Sequence, residues 1–127
     1  MSNLYFFFLL FLFRFANLPD SIKEKTSHPD SFYSFGWSHG KEMFDGQPDF
    51  AKGSYYANPQ YDEPFTDKEL IKKYPAFCHP NIWPKDDFPE LQPKFMQLGG
   101  LIVEIGKMIG KQCDLYVRKV MSPNQLF

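Results

Sequence analysis

The side chains able to do chemistry are three histidines (His28, His39, His79), two cysteines (Cys78, Cys113) and two adjacent acidic pairs, Asp62-Glu63 and Asp86-Asp87. His28-Pro29-Asp30 is a literal His-x-Asp, and His79 follows Asp30 by 49 positions (79 − 30). Two histidines and one carboxylate with open coordination positions form the facial triad of non-haem Fe(II) oxygenases. The surroundings argue against a triad here. His28 lies in a Lys-rich, Pro-broken stretch, not on a buried strand able to hold a rigid ligand. His39, between Ser38 and Gly40, reads as a loop or capping donor. Cys78 and His79 are neighbours, and neighbours on a strand point to opposite faces. Both acidic pairs sit between prolines and read as solvated turn residues. No glycine loop of phosphate-binding type is present. No catalytic, cofactor-binding or metal residue is therefore expected among these groups.

Bulk properties narrow the partners. Fourteen Lys and Arg against fifteen Asp and Glu leave a net charge of −1, so there is no basic field for nucleic acid and no polybasic membrane signal. Two cysteines without a Cys-x-x-Cys make no disulfide framework or zinc site, and two reduced thiols, one on a loop and one on a helix, suit a reducing compartment. Rings make up 19% of the 127 residues and are interspersed with eleven prolines. That mixture predicts long irregular segments pinned by buried aromatics.

The elements that would position these groups follow from local signals. Leu4 to Phe13 is ten apolar residues in a row. As a helix it would cover about 15 Å, half of a bilayer core. It has the length of a signal-peptide core, but no Lys or Arg precedes it and Arg14 spoils the cleavage pattern. A signal or membrane-associating segment, a buried strand and a stretch foreign to the domain all remain open. A loosely laid helix is favoured over a strand, because Leu and Phe lack β-branching.

Pro19 near a first turn suits a brief helix through Lys25, ended by His28-Pro29. Ser31 to Gly40 reads as a short extended segment with turns at Gly36 and Gly40, and Lys41 to Asn58 as mostly loop, extended at Ser54-Tyr55-Tyr56. Thr66-x-x-Glu69 resembles a capping box opening a helix of about two turns before Pro75. Five prolines from Pro75 to Pro93 forbid long regular structure there. Phe95, Leu98, Ile102, Ile105, Ile109, Cys113, Tyr116 and Val120 then recur at steps of three and four, predicting one long amphipathic helix over residues 89–121. Gly99, Gly100, Gly106 and Gly110 each weaken it by up to about 1 kcal/mol, which suggests close approach of another element. The fold class expected is α+β, largely irregular, with this one long C-terminal helix.

Two blocks carry a family resemblance: Lys52-Gly53-Ser54-Tyr55-Tyr56-Ala57-Asn58-Pro59, and His79-Pro80-Asn81-Ile82-Trp83-Pro84 followed by Asp86-Asp87-Phe88-Pro89-Glu90-Leu91 and the helix. With Phe15-Ala16-Asn17-Leu18-Pro19 and Lys23-Glu24-Lys25 before them, this ordered series resembles the N-terminal region of isopenicillin N synthase-like dioxygenases, from about Phe15 to about Val120. The resemblance implies an oxidoreductase family that uses Fe(II), O₂ and, in most members, 2-oxoglutarate on a small-molecule substrate. It implies a region that wraps a jelly roll, with the long helix backing one sheet. The family's iron ligands lie on the jelly roll, and an Arg-x-Ser after the distal His receives the co-substrate. No Arg-x-Ser follows His79 here, and His79 falls in the block that precedes the jelly roll.

The expectation is an N-terminal portion of such an enzyme, a fragment or truncated isoform, with residues 1–14 as a separate apolar segment and 15–127 as an incomplete domain. It is expected not to be catalytic alone, to hold no cofactor of its own, and to be cytoplasmic unless residues 4–13 act as a secretory or membrane segment. The alternative is a non-enzymatic interaction module that uses the amphipathic helix 90–121.

Overall fold

The apolar N-terminal run forms a helix, α1 (Ser2–Ala16), in which no residue is β-branched. The computed structural model describes residues 2–120, with side chains from Leu9 onward. The helix runs through Arg14 and Phe15 without a break, Phe15 is buried in the core, and Phe11 packs beside Phe88 at 5.8 Å between ring centroids. Its other face is open, with Phe13 67% exposed. After Leu18-Pro19 the chain turns into α2 (Asp20–Lys23) and a 3₁₀ turn to Thr26. A second 3₁₀ turn starts at Pro29 and ends on Phe32 in left-handed geometry.

Two small antiparallel sheets follow. β1 (Gly36–His39) pairs with β4 (Gly53–Tyr56), setting Trp37 opposite Tyr55. β2 (Met43–Phe44) and β3 (Gln47–Pro48) form a separate exposed hairpin. The stretch 41–58, expected to be mostly loop, therefore holds a hairpin at its Asp45-Gly46 turn, where both residues have positive φ (50° and 75°). Gly36 is not a turn but the first strand residue. Its φ of +73° and a position where a Cβ would lie 1.8 Å from the Thr26 carbonyl oxygen admit only glycine.

The middle of the chain carries α3 (Lys68–Lys73) and α4 (Pro75–Cys78). The cap of α3 is Asp67, one residue later than the expected Thr66. Its carboxylate accepts from the Glu69 and Leu70 amides at 2.9 and 3.2 Å, and a charged acceptor suits the positive end of the helix better than a hydroxyl. Cys78 ends α4 rather than lying on a loop, and both cysteines are free.

The last element, α5 (Leu91–Val120), begins two residues from the expected Pro89. Met121 lies outside the described residues. Its first turns close the core of Phe15, Trp37, Trp83, Phe88 and Leu91, and α1 lies against it. Beyond Gly100 little covers it: Ile102, Met108, Ile109, Tyr116 and Val120 are each about 60% exposed or more. Among the described residues, of its four glycines only Gly99 meets a neighbour, Pro59, and nothing lies within 4 Å of a Cβ built on the other three. The architecture is thus mixed helix and small antiparallel sheet with one long C-terminal helix. Among the described residues no helix is long and apolar enough to cross a membrane.

Candidate functional site

The densest polar constellation is a partly buried tie between the loop after β4 and the segment that leads into α5. Neither segment has a ladder to satisfy its backbone, so side chains do so. Asn81 reads the backbone of Asn58 in both directions, its Oδ1 accepting from the amide at 2.6 Å and its Nδ2 donating to the carbonyl at 2.9 Å. Trp83 is buried, stacked against Tyr55 at 5.9 Å and edge-on to Phe95 at 5.5 Å. The indole N–H of a buried tryptophan needs an acceptor, and Asp62 supplies it. Asp62 also accepts from Asn81 Nδ2 at 3.2 Å and from Gln92 Nε2, on α5, at 2.9 Å. One carboxylate thereby ties loop, tryptophan and helix.

This overturns the reading of Asp62 as a solvated turn residue: it is partly buried and triply engaged. Asp86 and Asp87 are exposed as expected, and Asp87 meets Lys25 at 3.1 Å. Tyr55 completes the tie by donating its hydroxyl to the Ile82 carbonyl. Burial pushes the Tyr55 phenol above the ordinary tyrosine range, so it stays a donor. These are positioning contacts. Of the tie's side chains Tyr55 also lines a cavity, the apolar one between α1, the β1–β4 sheet and α5.

The second constellation is the one the His-x-Asp spacing brought forward. His28 and His79 lie together, their ring centroids 3.9 Å apart and tilted by 38°, with Phe35 packing on His79 at 5.8 Å. The spacing pointed to these two histidines only as ligands of an iron triad, whereas the structure sets them ring against ring. The Pro80 carbonyl can only accept, so the 2.7 Å bond places a proton on His79 Nδ1 and leaves Nε2 as the lone-pair nitrogen. His28 Nδ1 is buried without a partner. Asp30, Phe32, Ile71, Lys72 and Pro75 line the adjoining cavity of about 520 Å³. Burial holds the His28 imidazole below its ordinary range, the charge of His79 lowers it further, and Asp30 partly opposes both. Among the described residues, no three His, Cys, Asp or Glu groups stand close enough to hold a metal ion. His39 sits apart, bonded to the Phe50 carbonyl at 3.1 Å.

A third feature is an apolar cavity of about 600 Å³ between α1, the β1–β4 sheet and α5, lined by Leu12, Trp37, Tyr55, Phe95, Leu98 and Ile102. It opens onto the bare side of α5. Compared with protein-family models, with curated proteins and with solved structures, the chain matches none.

Proposed function

We propose that this chain is the N-terminal region of an isopenicillin N synthase-like Fe(II) dioxygenase. In this reading it is a scaffold that positions a jelly roll rather than a catalyst in itself. The observation that carries the reading is the combination of the Asn81–Trp83–Asp62 tie with the uncovered helix it aims. The two blocks that resemble the family are also the two segments that Asn81 joins to each other, so they act as one structural unit. The helix they anchor buries only Leu91 and Leu98 and leaves an apolar stripe from Ile102 to Val120 without cover among the described residues. A stripe of that length marks a docking face. A jelly-roll sheet is the cover that the family resemblance supplies. Fe(II) and 2-oxoglutarate would then be held by that second body, with a small-molecule substrate and no role for nucleic acid.

The rival reading, a non-enzymatic module that offers the same helix face to a partner chain, rests on that face alone. Sequencing the transcript beyond the Phe127 codon separates the two. An open frame encoding His-x-Asp, a distal His and Arg-x-Ser is expected. The longer product should develop a charge-transfer band when titrated anaerobically with Fe(II) and 2-oxoglutarate, and the 127-residue chain alone should not. A frame without those residues, together with a folded and monodisperse 127-residue product, would favour the interaction module.

A further inference from the structure

The His28–His79 contact plays no part in the function proposed above, and its surroundings give it one of its own. Residues 67–79, α3 and α4 with their cap, form an arm. Among the described residues, the arm's own hydrogen bonds close on itself or on adjoining Pro80. Docking therefore rests on apolar and ring contacts: buried Cys78, the His79 ring against His28 and Phe35, and Ile71 and Pro75 across the cavity.

We propose that the His28–His79 stack is a proton-operated latch, holding the arm docked while both rings are neutral and releasing it when both become imidazolium. Two cations with centroids 3.9 Å apart repel each other, and the buried Nδ1 of His28 has no acceptor to offset a second proton. The other charged groups facing the pair are Asp30, on the turn that follows His28, and Lys72, on α3 across the cavity. They oppose each other in sign, and both are exposed and screened by solvent and salt. Burial and the neighbouring His79 both hold the docked His28 below its ordinary value. A lowered value favours the neutral docked form. The latch is therefore at full strength above the ordinary histidine value of about 6.5, and it weakens as pH falls through and below it. Between the ordinary value and the lowered one, each pH unit multiplies the undocking constant by up to about tenfold through His28.

Hydrogen exchange on the full chain, followed by NMR, reads this directly. The amides of Phe77, Cys78 and His79 are bonded within the arm to Tyr74 and Pro75 carbonyls at 3.0–3.2 Å. A helix of four residues does not persist once undocked. Their protection factors, corrected for intrinsic rate, are expected to fall severalfold between about pH 7.5 and 5. The Trp37 and Tyr55 amides of the β1–β4 sheet should hold theirs. His28→Phe keeps a stacking ring but removes the proton, and it should abolish the pH effect. Equal arm protection at both pH values, or the same fall in His28→Phe, would overturn the latch. Should that variant fail to fold, His79→Phe replaces it. The ring titration of the unmodified chain decides independently: a His28 ring that titrates at or above the ordinary histidine value also overturns the proposal.

Discussion

Asp62 is the residue whose loss the structure evaluates most directly. Asp62→Ala removes the acceptor of the Trp83 indole, of Gln92 and of one Asn81 contact. The indole is buried and has no second acceptor, so an unsatisfied donor there costs about 1–3 kcal/mol. Gln92 is only partly buried and can turn to water, adding about 0.5–1 kcal/mol. Asn81 keeps the Asn58 carbonyl at 2.9 Å and adds little. The sum is about 1.5–4 kcal/mol, a large share of the stability of a small domain. Asp62→Asn retains an oxygen for the indole, and the Gln92 amide can rotate to present its own oxygen to the new donor, so about 1 kcal/mol is expected. Urea unfolding followed by tryptophan fluorescence measures both, with an unchanged slope as the check that only stability moved. A double-mutant cycle with Trp83→Phe isolates the indole bond. Destabilisation below about 0.5 kcal/mol for Asp62→Ala would refute the reasoning. Equal losses for the two variants would show that charge, not acceptor geometry, dominates.

Other outcomes follow from single contacts. Gly53→Ala drives a Cβ to 2.1 Å from the Trp37 ring, so overpacking of about 1–3 kcal/mol is expected in the same assay. Tyr55→Phe leaves the Ile82 carbonyl without its hydroxyl partner and should cost about 1 kcal/mol. Because burial raises the Tyr55 phenol, its docking contributes stability below the ordinary tyrosine range and loses it only as pH rises toward the raised value; ultraviolet titration should show this ring ionising with unfolding and not before. Ile105→Glu and Met108→Glu fall on the bare stripe, so they should change stability by less than about 0.5 kcal/mol while reducing self-association in size exclusion.

What the sequence disclosed depended on the range of the signal. The spacing of Phe95, Leu98, Ile102 and Ile105 located α5, because helical period is a local property. It could not say that only Leu91 and Leu98 would be buried, since amphipathicity names a face but not its occupant. Trp83 announced itself as an anchor that needed an acceptor, yet the acceptor was Asp62, 21 positions upstream, and only the folded loops bring the two together. The His28–His79 stack spans 51 positions (79 − 28) and left no trace in local pattern. Two misses were avoidable. Asp45-Gly46 is the strongest short hairpin signal there is, and it marks β2–β3. Asp67, directly after Thr66, was the better cap, and choosing it shifts Glu69 from the third helical position to the second.

The uncovered part of α5 sets the energetic terms that any account of this chain must meet. Gly100, Gly106 and Gly110 each cost the helix about 1 kcal/mol relative to alanine, and no neighbour among the described residues stands where their missing side chains would be. The ion pair Lys107–Glu104, at 2.7 Å on the exposed surface, is screened by solvent and does not offset that cost. Helix propensity and surface pairing therefore do not hold residues 101–120, and most helical stability in proteins comes from tertiary packing of the apolar face. Gly106, beside the stripe, acquires a reason if a body approaches the backbone closely on that side, whereas Gly100 falls on the opposite face of the helix. The Asn81–Asp62–Trp83 tie fixes the base of the helix and so the direction in which that face is presented. A fixed root with an uncovered apolar stripe is the form of a helix that docks on a further layer.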